Sequence, residues 1–191
     1  MNLETSTKLV LLSILTVLTP LNDVIAQNTT KLSQNPTSRY TRLESLLKAQ
    51  NFKGADTETS KVMLALANRQ KEGFLTAEDV EKFPCRELRI IDKLWLKYSR
   101  GKFGISVRQK IYESLGGVEG INSSELDWSF AKRVGWVSRT GSWIGYDRLN
   151  FSQKAPSGHL PRRIFFSDRM RTYQTIFITD NFPSMLFRCN T

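Results

Sequence analysis

Histidine is almost absent from this chain and cysteine nearly so: 191 residues hold one histidine, His159, and two cysteines, Cys85 and Cys189. One imidazole and two distant thiols make no ligand cluster for zinc or another transition metal, so no metal site is expected. The same scarcity removes most nucleophilic catalysis. A triad needs a base beside its nucleophile, and no GxSxG elbow is present. A phosphate-binding GxxxxGK followed by Ser or Thr is missing too. No internal repeat suggests a solenoid. Acids are scarce beside bases, 18 against 28, which leaves a net charge of +10. Such a surface favours an anionic partner, whether nucleic acid, acidic headgroups, or a small carboxylate or phosphate.

No apolar run is long enough to be a typical membrane span. The longest, LVLLSILTVL at 9–18, has ten residues and follows Lys8. With Val24 and Ala26 as small residues before a cut, residues 1–26 read as a signal peptide, and the alternative is an uncleaved membrane anchor. The expected location is therefore exported (periplasm or thylakoid lumen) or membrane-anchored through residues 9–26. Losing residues 1–26 would leave 27 basic against 16 acidic residues, or +11. Residues 27–40, QNTTKLSQNPTSRY, are polar, hold Pro36 and read as a linker. In an exported chain the two cysteines are a candidate disulfide, with two buried free thiols as the alternative.

From Thr41 the pattern is helical. Leu43, Leu46 and Leu47 share one face, as do Ala55, Val62, Met63 and Leu66 after a break in which Gly54 and Asp56 suit stop and start. Thr76 and Asp79 form a capping-box pair at the head of a short helix that Pro84 ends. Glu78 beside Asp79 then reads as macrodipole complement, with no need of acid–base chemistry. Leu88, Ile91, Leu94, Trp95 and Tyr98 repeat at three and four. Asp92 on that helix either bonds to a neighbouring turn or faces solvent. Ser106 suits an N-cap for a helix with Val107, Ile111 and Leu115 on its face, ended by Gly116 and Gly117. GVEGINSSEL reads as a polar loop, WSFAKRV as one or two helical turns, and 135–161 as a long aromatic-rich loop with turn chemistry at Pro156–Gly158. His159 is expected to hold that turn.

The stretch YSRGKFG at 98–104 has the glycines and lysine of a phosphate cradle, but helix precedes it and Lys102 follows a single glycine. It reads as a tight link between helices, with Gly101 as a C-cap and Gly104 at a close approach. No catalytic constellation survives, so the chain is not expected to be an enzyme. What remains is a binding surface. Four Trp, five Tyr and eleven Phe exceed what a core this size needs. Aromatics beside arginines suit a flat apolar ligand with acidic groups at its edge. Single-stranded nucleic acid meets the same description, although no RNA-binding motif is present.

Four ordered blocks then carry a resemblance: LLKAQNFKGADTETSKVML (46–64), FPCRELRIIDKLWLKYSRGKFGISV (83–107), VGW (134–136) and APSGHLP (155–161). Together they resemble the genomes-uncoupled-four family of porphyrin-binding proteins. That resemblance implies a mainly α fold: a single cupped helical domain over 41–191 whose concave face binds protoporphyrin IX or its magnesium form. Members assist magnesium chelatase in chlorophyll synthesis, and others carry the domain in signalling chains. The implied binding residues are Phe103 in the apolar lining and Trp143, Tyr146 and Leu149 in the loop between VGW and APSGHLP. Arg162, Arg163, Arg169 and Arg171 are the implied partners of the propionates.

Ser60 stands where chelatase-assisting members have an arginine near the ligand, and Arg108 where they have a glutamine. Those members also carry an N-terminal helical domain, for which residues 27–40 are too short. The expected function is therefore a tetrapyrrole carrier, sensor or regulator with no required cofactor. Its partners would be a porphyrin, with a magnesium chelatase subunit or a membrane surface beside it, and no nucleic acid. The alternative is an interaction module of the same fold that has lost the ligand and uses its basic face.

Overall fold

A computed structural model describes residues 39–118, 123–163 and 189 of the chain. Among the described residues six helices follow in order: α1 Thr41–Lys48, α2 Phe52–Leu66, α3 Ala77–Glu81, α4 Cys85–Ser99, α5 Ile105–Ser114 and α6 Ser124–Arg133. Beyond α6 the described chain has one 3-10 turn, Tyr146–Arg148, and an isolated antiparallel bridge between Val137 and Trp143. The architecture is mainly helical. The residues from 119 to 122 and from 164 to 188, with Arg169 and Arg171 among them, lie outside the described residues, as do 1–38.

Helix α4 is the axis. Leu88, Ile91 and Trp95 are buried on its inner face, at the spacing read from the sequence. Trp95 stacks on Phe52 at 6.1 Å and meets Phe103 edge-on at 6.4 Å, while Phe52 and Phe103 sit 5.3 Å apart. The Trp95 indole N–H donates to Thr59 at 3.0 Å, so the ring's one polar atom is satisfied inside the core. Helix α1 packs on α2 and α4. The Tyr98 hydroxyl donates to Glu44 at 2.7 Å and the Gln50 amide to the Tyr98 carbonyl at 2.8 Å. A second aromatic group, Tyr112–Phe130–Trp136, links α5 and α6 to the chain beyond, each pair edge-on at 5.7 Å.

The cysteines are joined. Cys85 at the first residue of α4 is disulfide-bonded to Cys189, and the Arg89 guanidinium donates to the Cys189 carbonyl at 2.7 Å. Where the described chain begins, the Tyr40 hydroxyl hydrogen-bonds Glu87 and Arg39 lies 3.8 Å from the same carboxylate. Both attachments fall on the first turn of α4.

Local signals were legible where the partner lies within a few residues. Thr76 and Asp79 form a reciprocal capping box on α3. Four other readings need correction. The start of α2 is capped by Asn51, whose side chain accepts from the Gly54 N–H at 2.9 Å. Gly54 is therefore inside the first turn, and Asp56 is a buried tertiary acceptor instead of a helix start. The N-cap of α5 is Gly104, not Ser106. The cap interaction comes from α4, where Asp92 Oδ1 accepts the N–H groups of Ile105 at 2.6 Å and Ser106 at 3.0 Å. On α5 the buried face is Ile105, Arg108, Gln109 and Tyr112, while Val107, Ile111 and Leu115 are half-buried. Arg108 enters the interior because the loop after α6 supplies the Gly158 carbonyl as its partner, while the Gln109 amide donates to Glu113 on α5 itself. The polar loop also ends early, since Ser123 caps α6 and Ser124–Leu126 are helical.

Candidate functional site

The link YSRGKFG is the seat for the loop that follows α6. The Lys102 ammonium donates to the Gln153 carbonyl at 2.7 Å, and its own carbonyl accepts from the Gly158 N–H at 2.9 Å. Gly104 N–H reaches the Leu160 carbonyl at 3.1 Å, and the Gln153 amide donates to the Ser99 carbonyl at 2.6 Å. The lysine that suggested a phosphate cradle is thus used to hold peptide backbone. His159 closes the same turn: its Nδ1 is 2.7 Å from the Val134 carbonyl. Burial, helped by the charges of Arg162 and Arg108, pushes its pKa down to about 4, so the ring is neutral at ordinary pH.

Trp136 stands at the centre. The bridge that pairs Val137 with Trp143 fixes its backbone, and Ile144 N–H donates to its carbonyl at 2.9 Å. Its indole N–H donates to the His159 carbonyl at 2.9 Å. The Arg108 guanidinium lies 5.1 Å from its ring and that of Arg162 4.7 Å, so two cations share one indole. Arg108 is fully buried, with Nε donating to the Gly158 carbonyl at 2.9 Å. Arg162 is only 2% exposed, and its guanidinium also lies 6.0 Å from the Trp143 ring.

A buried carboxylate, Asp56, lies beside these cations. Asp56 Oδ1 accepts the backbone N–H of Arg162 at 2.6 Å, and both its oxygens accept that of Arg163, at 3.1 and 3.2 Å. Burial pushes its pKa up, against the Tyr146 hydroxyl, the two N–H groups and the charge of Arg108. Burial pushes Arg108 down to about 9 and Arg162 to about 10, with Asp56 opposing both shifts. Both arginines remain cations at neutral pH. Asp92 also raises the Arg108 pKa from a distance, so two buried carboxylates act on this guanidinium.

Around that centre lies a band of half-buried aromatics. Trp143 meets Trp128 edge-on at 5.4 Å, and Tyr146 meets Phe151 at 5.3 Å. Basic groups overlie them: Arg163 is 5.1 Å from the Tyr146 ring, Lys132 5.4 Å from Trp128 and Lys53 5.6 Å from Phe151.

Of the residues singled out from sequence, Trp143, Tyr146, Arg162 and Arg163 come together here. Leu149 is buried just behind them at the end of the 3-10 turn. Phe103 has no exposed surface and belongs to the core under α4. Ser60 lies on the buried face of α2, one turn beyond Asp56. Sequence reasoning gave no role to Trp136 or Trp128, took Asp56 for a helix start and noted Arg108 only as a replacement. The signal was present in part: Asp56 lies at helical spacing with Ala55, Thr59 and Ser60, and Arg108 with Ile105 and Tyr112, which places each on a buried face.

The fold and site define a mainly helical domain organised around an arginine–aromatic centre. A family model described as GUN4-like matches residues 33–176, and the chain belongs to that family. Among its relatives are the ycf53 protein of Pyropia yezoensis, 32% identical over 64% of this chain and 49% of its own length, and the Ycf53-like protein of Synechocystis, 30% identical over 64% and 50%. The chain spans about half the length of the curated relatives it matches. The chloroplastic tetrapyrrole-binding protein of Arabidopsis thaliana is 38% identical over 37% of this chain and 27% of its own. The ligand-free structure of Arabidopsis thaliana GUN4 superposes with a TM-score of 0.57 at 25% identity, over 78% of this chain and 92% of that one.

Proposed function

We propose that this protein binds a tetrapyrrole, protoporphyrin IX or its magnesium form, as a non-enzymatic carrier or sensor. The observation that carries the reading is the adjacency of half-buried Trp143 and Tyr146 to the guanidiniums of Arg162 and Arg163. A flat macrocycle with carboxylates at its edge needs apolar contact and cations within one short reach, and this donor set fits that need. Arg163, half-exposed over Tyr146, suits direct contact with a carboxylate. Arg162, almost fully buried, positions Trp136 and Trp143 and adds positive potential from behind. The name of the Arabidopsis relative supports the same ligand class.

The test is a titration of the full chain with both porphyrins, followed by tryptophan quenching and the Soret band. Saturable binding weakened about tenfold or more by Trp143→Ala, Tyr146→Ala or Arg163→Ala supports the reading, since each loses on the order of 1.4 kcal/mol. No saturable binding, or variants indistinguishable from wild type, sinks it.

Stimulation of magnesium chelatase is the finer proposal, tested by adding the protein to a chelatase assay. Export with cleavage near Ala26, or anchoring through residues 9–26, is likewise proposed, and the mass of the mature chain distinguishes them. A second reading keeps the fold without the ligand and uses the protein as an interaction module. Full burial of Phe103 and the small Ser60 at an arginine position favour it, and it stands if the titration fails.

A further inference from the structure

The outer face of α4 carries Arg86, Arg89, Lys93 and Lys97, and Arg100 continues the row at the C-cap. All five are exposed. At about 100° per residue the four helical positions fall within an arc of roughly 80°, opposite the buried Leu88, Ile91 and Trp95. The row is about 21 Å long. No acid interrupts it, because both acids of α4 are used elsewhere. Glu87 holds Tyr40 and Arg39, and Asp92 caps α5. Among the described residues only Lys97 of the five pairs with a carboxylate, Glu44 at 3.4 Å, and that pair is exposed. An ordinary solvated helix face mixes both signs at i and i+4. This one has a single sign from end to end.

We propose that this face of α4 is a docking surface for an anionic lipid bilayer. Two observations select a bilayer over an acidic protein or a nucleic acid. The row has no large exposed apolar residue to form the desolvated centre that a stable protein interface needs. Among the described residues the one exposed large hydrophobic is Val118, outside α4. A flat sheet of headgroups asks only for a row of cations. The chain also enters the domain beside this row, since Arg39 and Tyr40 are tied to Glu87 on the first turn of α4. The apolar run at 9–18 is connected to that point by residues 19–38, which reach at most about 70 Å. In the anchored form proposed above, in which residues 9–26 are retained, that segment would deliver α4 to the membrane surface. None of the residues of the arginine–aromatic site belongs to α4, so the inference stands independently of tetrapyrrole binding.

The test is co-flotation of the full chain with phosphatidylglycerol-containing vesicles and with pure phosphatidylcholine vesicles. Arg86→Gln/Lys93→Gln is compared with Lys110→Gln/Arg133→Gln, which removes the same charge from α5 and α6. Arg89 is left intact because it holds the Cys189 carbonyl. The expected result is preferential binding to acidic vesicles that falls with salt and drops about tenfold or more in the α4 variant, with the control near wild type. Equal partition on both vesicle types overturns the proposal, because the apolar run alone would then account for it. An equal drop in both variants overturns it in favour of net charge. Retention on polyglutamate or a single-stranded oligonucleotide without preference for acidic vesicles overturns it in favour of those polyanions.

Discussion

Asp56 and Arg162, 106 residues apart, meet through the Arg162 backbone N–H, which donates to Asp56 Oδ1 at 2.6 Å inside the protein. This bond does two things. It fixes the backbone that carries both site arginines, and it brings a buried carboxylate to a pair of buried cations. Asp56→Asn keeps the shape and removes the charge that opposes the burial of Arg108 and Arg162. We expect a loss of about 3 kcal/mol in urea unfolding. Adding Arg108→Gln relieves part of the repulsion, so the double variant should lose less than the sum of the singles. Stability of Asp56→Asn within about 0.5 kcal/mol of wild type would remove Asp56 from this role.

The external cap on α5 gives a second expectation. Gly104 has φ of 147°, and a Cβ there would lie 2.7 Å from Asp92 Oδ1. Asp92→Ala should cost about 1–2 kcal/mol, the range for a lost N-cap. Gly104→Ala should cost more, because it strains the backbone and displaces the same carboxylate. The double variant should fall short of additivity. Thermal unfolding of the three variants measures this, and full additivity would show that the two residues act separately.

His159 predicts a pH dependence whose sign is set by burial. Its folded pKa of about 4 lies below the unfolded value near 6.5, so the unfolded chain binds the extra proton between them. Stability is therefore full above about pH 6.5 and falls as pH drops toward 4. Between pH 7 and 4.5 the loss should be on the order of 2–3 kcal/mol. His159→Gln should flatten that slope, since no other histidine is present. An unchanged slope in the variant would assign the effect to carboxylates.

The disulfide closes a separation of 104 residues between Cys85 and Cys189. On the chain-entropy model such a loop is worth at most about 4–5 kcal/mol. Reduction should lower the unfolding midpoint, and Cys85→Ser should match reduced wild type and ignore reductant. A midpoint indifferent to reductant would show that the bridge contributes little beyond the contacts around it.

The sequence by itself determined what depends on near neighbours. The inner face of α4 was legible from Leu88, Ile91 and Trp95, because a three-and-four spacing has one geometric meaning. The Thr76–Asp79 box was legible because both halves of it lie within one turn. Family membership was legible from four ordered blocks, most of which build α2, α4 and the seat under the loop. The disulfide was left open, because nothing local to Cys85 indicates how near Cys189 comes.

Tertiary structure decided the centre of the site. Arg108 was noted only as a replacement, because nothing near it in the chain shows the interior environment that Trp136 and the Gly158 carbonyl give it. Asp56 looked like a helix start because its hydrogen-bond partners arrive more than a hundred residues later. Ser106 looked like a cap because Asp92, on another helix, could not be seen to reach the same N–H groups. In each case a buried polar group must be satisfied, and its partner is brought by the fold, not by its neighbours in the chain.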